Sequence, residues 1–341
     1  MRIFLQNLLT NPKNRCIIAA SQKNKRVITR KRKKENKMKK IISLVLALAM
    51  LCGATVALAS CKPVAEDADA VKVIDIALTV EEYAFAVPKG DTEMLNSVNE
   101  FLAEIEANGK FDEVINKYFG DGTPTPVASA ATMRNDGSQL IVATNAAFAP
   151  FEYMEGENYY GVDLELMAMF AEKLGKELYI YNMNFDAVCL AVSNQGGTYE
   201  DENGAEVTVE GGVADIAAAG LTVNDTRKQI LDFSTSYYNA SQMIICKADD
   251  TTFDGCKTAD DVIAKLNAMD KSTKVGVQSG TTGQFFCEGD EGWGFDGFNF
   301  TTVPLANGSL AVQDVLNGNL NFVVIDEGPA KAITEKINAA N

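Results

Sequence analysis

From residue 140 to the end of the chain, short β-type runs alternate with amphipathic helical runs, and the pattern breaks once, near residue 250. Parallel strands joined through helices are buried on both faces, so this alternation calls for parallel sheets covered by helices on each side. Two such units predict two lobes with a cleft between them. In the first unit, strand 140–144 leads to a helix over 162–174. Its buried stripe is Leu166, Met167, Phe170 and Leu174, and Gly175 stops it. Strand 178–181, a short helix near 186–192, and strands 214–219 and 242–246 follow. The glycine-rich, acidic stretch 194–212 reads as an exposed excursion or hairpin. The second unit gives helix 259–269, strand 274–277, a Ser-Gly-Thr-Thr-Gly turn, helix 310–316 and strand 322–325.

Ahead of this body, 71–78 and 83–87 read as strands. Asp91 is positioned to cap a helix whose apolar residues Met94, Leu95, Val98, Phe101, Leu102 and Ile105 recur at helical spacing, and Gly109 ends it. A second helix, 111–118, carries Val114, Ile115 and Tyr118 on one side. Residues 121–139, rich in Gly, Thr, Pro, Ala and Ser, read as a linker.

The first 60 residues differ in kind, holding 14 of the 31 basic residues but only one acidic residue, Glu35. Beyond them stand 17 basic and 45 acidic residues, a net charge of −28 that disfavours nucleic acid and anionic lipid. From Met38 the sequence runs Met-Lys-Lys, an apolar stretch over 41–51, then small residues up to Leu58-Ala59-Ser60-Cys61. That order describes an export signal rather than a membrane span. Leu-Ala-Ser-Cys resembles the lipobox of bacterial lipoproteins, which implies lipidation at Cys61, a tether over 61–70 and a place on the outer face of the cell envelope. Met38 then serves as an alternative start, with 1–37 as upstream sequence.

Export allows disulfides. Cys189, Cys246, Cys256 and Cys287 permit three full pairings, and free thiols remain equally open. None has metal-ligand spacing. The chain has no histidine, which excludes a histidine-dependent triad or a His-rich zinc site. The turn 279–283 lacks the Gly-Lys-Ser/Thr ending of a P-loop, so no nucleotide is expected. No cofactor is expected at all.

Several stretches in this order and spacing carry a family resemblance: ATNAAFAPFEY (143–153), GVDLELMAMFAEKLG (161–175), ADIAAAGLTVNDTRKQILDFSTSYY (214–238), VGVQSGTTG (275–283) and LNGNLNFVVIDEGPA (316–330). From residue 140 onward the chain resembles the polar-amino-acid receptors of bacterial uptake systems, the type II periplasmic binding proteins. The resemblance implies an α/β fold of two lobes, each a mostly parallel sheet flanked by helices, joined by two crossovers. In the family a strand, a crossover and a terminal helix pair follow the last of these stretches. Here the corresponding block stands early, at 81–120, which looks like a circular permutation. Residues 80–120 and 140–247 then form lobe 1, and 71–79 with 248–341 form lobe 2. A leftover tail from a duplicated receptor and a swap into a neighbouring chain are the competing readings. A linker of 19 residues reaches ~60 Å when extended, ample to join the old ends.

The resemblance also implies a site. Arg227 would grip a ligand α-carboxylate, a task suited to its planar fork of donors. Gly220 and Thr222 would contact the ligand from the same lobe, Thr281 and Thr282 from the other. Asp326 would receive the α-ammonium, or else cap the next turn. Phe148 and Phe185 would sandwich the side chain, with Phe151 and Tyr153 supporting them. Asn145 stands where many relatives have an aspartate and Gln278 where some have a lysine, which turns the expectation away from lysine or arginine as ligand. Asn224 replaces a common threonine, which puts local capping in doubt.

The expected protein is thus a monomeric, lipid-anchored receptor that closes on an amino acid or close analogue and delivers it to an ATP-driven permease. The alternatives are an enzyme of the same fold, a prephenate-type dehydratase using carboxylates such as Glu152 or Asp186, and a ligand-sensing surface lipoprotein.

Overall fold

A computed structural model describes residues 69–201, 204–292 and 294–340. The expected export signal, Cys61 and most of the expected tether lie outside the described residues. The described residues begin with β1 (Val71–Ile74), β2 (Glu81–Tyr83) and β3 (Ala86–Pro88), followed by helices α1 (Thr92–Ala107) and α2 (Lys110–Phe119). Asp91 caps α1 as its position suggests, accepting from the Met94 amide at 3.0 Å. Next come β4 (Gln139–Thr144), a small antiparallel sheet of β5 (Ala147–Phe148), β6 (Glu152–Glu155) and β7 (Asn158–Tyr160), and α3 (Val162–Leu174). Gly175 ends α3 in the left-handed region, φ 67°. After β8 (Glu177–Asn182) and α4 (Phe185–Val192), the acidic excursion folds as a hairpin of β9 (Gly197–Glu200) and β10 (Glu206–Val209).

The middle of the chain holds β11 (Ile216–Ala217), α5 (Asp225–Lys228), β12 (Leu231–Phe233), β13 (Tyr238–Ala240) and β14 (Gln242–Lys247). The last part runs through α6 (Ala259–Asn267), β15 (Lys274–Gln278), α7 (Thr282–Glu288), β16 (Thr301–Leu305), α8 (Gly308–Leu316), β17 (Phe322–Asp326) and α9 (Glu327–Asn338).

These strands form two five-stranded sheets, ordered β12-β3-β11-β4-β8 and β1-β14-β17-β15-β16. Strand β4 is buried along its length because both of its faces are covered. Leu140 and Val142 face the core shared with Phe101, Met167 and Phe170, while Ile141 and Ala143 face Val188 and Val192 of α4. In the second sheet, Val323 and Ile325 meet Val312, Val315 and Ile333. Phe322 and Val324 turn instead to Val262, Leu266 and Phe286. The period of two along each strand sorts these residues between the layers.

In each sheet all strands but one run the same way: β4 pairs parallel to β8 and β11, and β15 parallel to β16 and β17, while β3 and β14 are reversed, so that β12 and β1 join through antiparallel pairing. The chain crosses between sheets just before β3 and again just before β14, and each crossing strand enters against the direction of the sheet that receives it. Strand β14, expected with the first lobe up to residue 247, accordingly belongs to the second sheet. The crossings themselves pair as an antiparallel ribbon, Tyr83 opposite Tyr238 and Glu81 opposite Ala240.

The early block folds back on the body of the same chain. β3 lies between β11 and β12, Phe101 packs on Phe170 with ring centres 5.2 Å apart, and Lys117 and Tyr118 bond to Glu165. The connecting stretch is also held down: the Val127 amide donates to Tyr159 at 2.8 Å, and Ala130 to Leu178 at 2.8 Å. At the other end, Asn338 of α9 accepts from the amides of Ala70 and Val71 at 2.9 and 3.2 Å, and donates to the Val71 carbonyl at 2.9 Å. The four cysteines of the described body carry free thiols.

Candidate functional site

Arg227 opens the site. It lies on the one-turn helix α5, fixed at its start by Asn224, whose side chain accepts from the Arg227 amide at 2.7 Å, so this asparagine caps the helix. Arg227 is only 7 % exposed, and its guanidinium lies 5.5 Å from the centre of the Phe185 ring. One nitrogen donates to the Thr222 carbonyl at 2.8 Å, the other to the Gly280 carbonyl of the second half at 3.1 Å.

Asp326, 3 % exposed, ends β17 on the opposite half. It occupies the N-cap position of α9 but makes no side-chain capping bond; instead it accepts from the Tyr83 hydroxyl at 2.6 Å. Burial, reinforced by the nearby Glu81 carboxylate, raises its pKa, partly offset by hydrogen bonds from Tyr83 and Gln242. Glu81 lies between the halves. One of its oxygens accepts from Thr79 at 2.7 Å and from Gln242 at 3.0 Å, the other from Thr222 and Thr282, each at 2.7 Å.

Other residues expected at the site meet across the same seam. Gln278 donates to Asn145 at 3.1 Å, and Asn145 donates to the Met183 carbonyl at 2.7 Å. Ser279 donates to Asp186 at 3.1 Å. The Thr281 hydroxyl turns back to the Gln278 carbonyl at 2.7 Å. Gly220 has φ +51°, and a Cβ there would stand 2.9 Å from the Phe148 ring, so the glycine permits both the turn and the close approach of that aromatic wall. Its amide donates to Asp163 at 2.9 Å, and the same carboxylate receives the Tyr237 hydroxyl at 2.6 Å. Burial pushes Asp163 up to about 7 despite those two donors.

The structure therefore gathers Arg227, Thr222, Gly220, Phe148, Phe185 and Asn145 from the first half against Thr281, Thr282, Gln278 and Asp326 from the second. Thr222 and Thr282, both expected to contact ligand, have their hydroxyls committed to Glu81. Sequence reasoning missed Glu81, Tyr83, Gln242 and Asp163. Only the place of Glu81 and Tyr83 on a crossover, where both lobes come within reach, hinted at them.

Of the carboxylates weighed for acid–base work, Asp186 is tied to Ser279, and burial raises its pKa. Glu152 is fully buried without a hydrogen-bond partner for either oxygen, which drives its pKa well upward; Asp163 and Asp326 add to the rise. A cavity of about 300 Å³ opens where the halves meet beside this seam, lined by Asn184, Asp186, Glu200 and Asp201 from one side and by Ser279, Gln284 and Leu305 from the other.

The family profile of bacterial extracellular solute-binding proteins, family 3, matches residues 8–121, 140–196 and 201–337, and the chain belongs to that family. It is 31% identical over 158 residues to the arginine-binding extracellular protein ArtP of Bacillus subtilis (strain 168), covering 45% of this chain and 51% of that protein. It is 30% identical over 199 residues to a probable histidine-binding protein of Neisseria gonorrhoeae, covering 58% and 62%. The matches thus span about half to three-fifths of the length of these curated relatives, both of which are binding proteins. Among solved structures, AbpA of Streptococcus pneumoniae bound to L-arginine aligns with TM-score 0.44 and 30% identity over 58% of this chain and 71% of that one. The arginine-bound truncated ArgBP of T. maritima aligns with TM-score 0.44 and 26% identity over 58% and 78%.

Proposed function

We propose that the chain is the substrate-binding component of an ATP-driven importer and takes an amino acid by its α-carboxylate and α-ammonium between two closing lobes. What carries this reading is the buried Arg227 guanidinium, which spans the seam with neutral carbonyls as its partners while Asp326 stands on the other half. A ligand carboxylate is a stronger acceptor for that fork than either carbonyl, and an ammonium offers the Asp326 carboxylate a charged donor. Each polar end of a zwitterion then finds a buried partner only when the lobes are together, which couples binding to closure.

Closure of this kind needs no bond chemistry, so the reading is a receptor rather than an enzyme. Family membership supports an extracytoplasmic place, and the Leu-Ala-Ser-Cys stretch supports a lipid anchor at Cys61 that holds the receptor beside its permease, with the receptor acting as a monomer. The bonds from Asn338 to Ala70 and Val71 support the permutation, because they join the end of the last helix to the start of β1, where the usual chain order would run on directly.

The side-chain end of the ligand is less constrained. Asn145 is occupied by Gln278 and Met183 and carries no charge, so a cationic side chain would have to draw on the carboxylates that line the neighbouring cavity. The named relatives make L-arginine and L-histidine the first probes, with the neutral amino acids beside them. A thermal-shift screen of the purified protein tests the reading. An amino acid at a hundredfold its dissociation constant adds about 2.7 kcal/mol of apparent stability. A screen of all proteinogenic amino acids and cystine in which no compound moves the transition would overturn it.

A further inference from the structure

We propose that Glu81 is a positioning residue that ties the two halves together through the hydroxyls of Thr222 and Thr282, and so favours the closed arrangement before any ligand contributes. The proposal rests on the binding reading only in treating closure as functional. Glu81 lies on the crossover ribbon, belongs to neither five-stranded sheet, and is nearly wholly buried. Its Oε2 accepts at 2.7 Å from Thr222, which follows β11 of the first sheet, and at 2.7 Å from Thr282, which opens α7 of the second half. Its Oε1 accepts from Thr79 at 2.7 Å and from Gln242 Nε2 at 3.0 Å, the residues that flank the two crossings.

Thr79 and Gln242 are themselves joined, since the Gln242 amide donates to Thr79 Oγ1 at 2.8 Å. Gln242 Nε2 also reaches Thr282 Oγ1 at 3.1 Å. One carboxylate thus holds donors from both crossings and from both halves, all of them buried. A hydroxyl left buried without its acceptor is costly. Separating the halves must break either the Thr222 or the Thr282 arm, so this one side chain weighs on the balance between open and closed.

The substitution Glu81→Gln preserves most of this geometry. Its amide oxygen can accept from both threonines, and its NH2 can donate to Thr79 Oγ1 and to the buried, otherwise unpartnered Gln242 Oε1 once the Gln242 amide turns over. Glu81→Ala removes every arm at once. Thr282→Val removes only the arm to the second half, leaving the crossing intact.

Small-angle scattering of the purified protein without added amino acid reads the effect. The wild type and Glu81→Gln should share one compact radius of gyration, while Glu81→Ala and Thr282→Val should both be larger. Thr282→Val serves as the test if Glu81→Ala does not fold. A folded Glu81→Ala or Thr282→Val protein as compact as the wild type would overturn the proposal. Absence of amino-acid binding by the wild type would sink the receptor reading but leave the scattering comparison intact.

Discussion

Arg227 and Gly280 come from opposite halves of the molecule, and the guanidinium of the first donates to the carbonyl of the second at 3.1 Å. The other nitrogen of the fork holds the Thr222 carbonyl at 2.8 Å, and the Phe185 ring lies alongside. A lysine offers neither the fork nor the flat face that lies against Phe185. Arg227→Lys should weaken amino-acid binding by about 2–5 kcal/mol, the usual cost of truncating one partner of a buried charged pair. Titration calorimetry on the tightest-binding amino acid checks this, and near wild-type affinity would remove Arg227 from the site.

Gly220 predicts a second loss of affinity by a different route. With φ at +51° and the Phe148 ring 2.9 Å from where a Cβ would stand, Gly220→Ala must both strain the backbone and push the ring aside. The left-handed conformation alone costs about 1–2 kcal/mol for a residue with a Cβ. Chemical denaturation should show at least that loss, and binding should weaken beyond what the lower stability explains.

The buried carboxyls set a pH dependence. Burial raises the pKa of Glu152 and Asp326, and carries Asp163 to about 7. The folded protein therefore keeps protons that the unfolded chain has already released above about pH 4. Stability from these groups is complete below that point and is lost as pH rises toward 7. Half-buried surface carboxyls held low by cations, such as Asp232 beside Lys89, act below pH 4 and with small weight. The melting temperature without amino acid should fall between pH 4.5 and 7.5, less steeply in Asp326→Asn. The shift caused by an amino acid should grow over the same range, because its ammonium needs Asp326 ionised. A flat profile in both would contradict the assignment.

The order of the chain can be tested directly. If Asn338 and Val71 lie together because the usual order runs from one to the other, a rearranged chain with residues 140–341 ahead of 71–120 should fold and bind as the natural one does. Conversely, Phe101→Ala should cost about 3–5 kcal/mol in denaturation, because the ring is buried against Phe170 of the main body. A loss below 1 kcal/mol would mean that the early block contributes little to the folded body.

The sequence made the layered α/β plan legible, since both faces of β4 and of β17 read as apolar at a period of two, and Gly175 and Asp91 punctuate helices by local chemistry. It hid β16, because Pro304 resembles a strand breaker; the edge of a sheet tolerates a proline. It also hid α9, whose Gly328-Pro329 start looks like a stop, although a first turn has no use for the proline's missing amide hydrogen. The antiparallel crossing strands look no different from parallel ones in a linear pattern. Among the candidate residues, Arg227 and Asp326 were singled out by family motifs. Glu81 was not, because it meets Thr222 and Thr282 at separations of 141 and 201 residues, which no local spacing encodes.

The proposed function turns on the amino-acid head group lying between Arg227 and Asp326. The most direct measurement is a pair of calorimetric titrations on the wild type, comparing L-arginine with agmatine and L-histidine with histamine, which differ only in the α-carboxylate. The amino acid that binds should lose nearly all of its affinity on decarboxylation. An amine that binds as tightly as its parent amino acid would show that Arg227 does not grip a carboxylate and that the site is used in some other way.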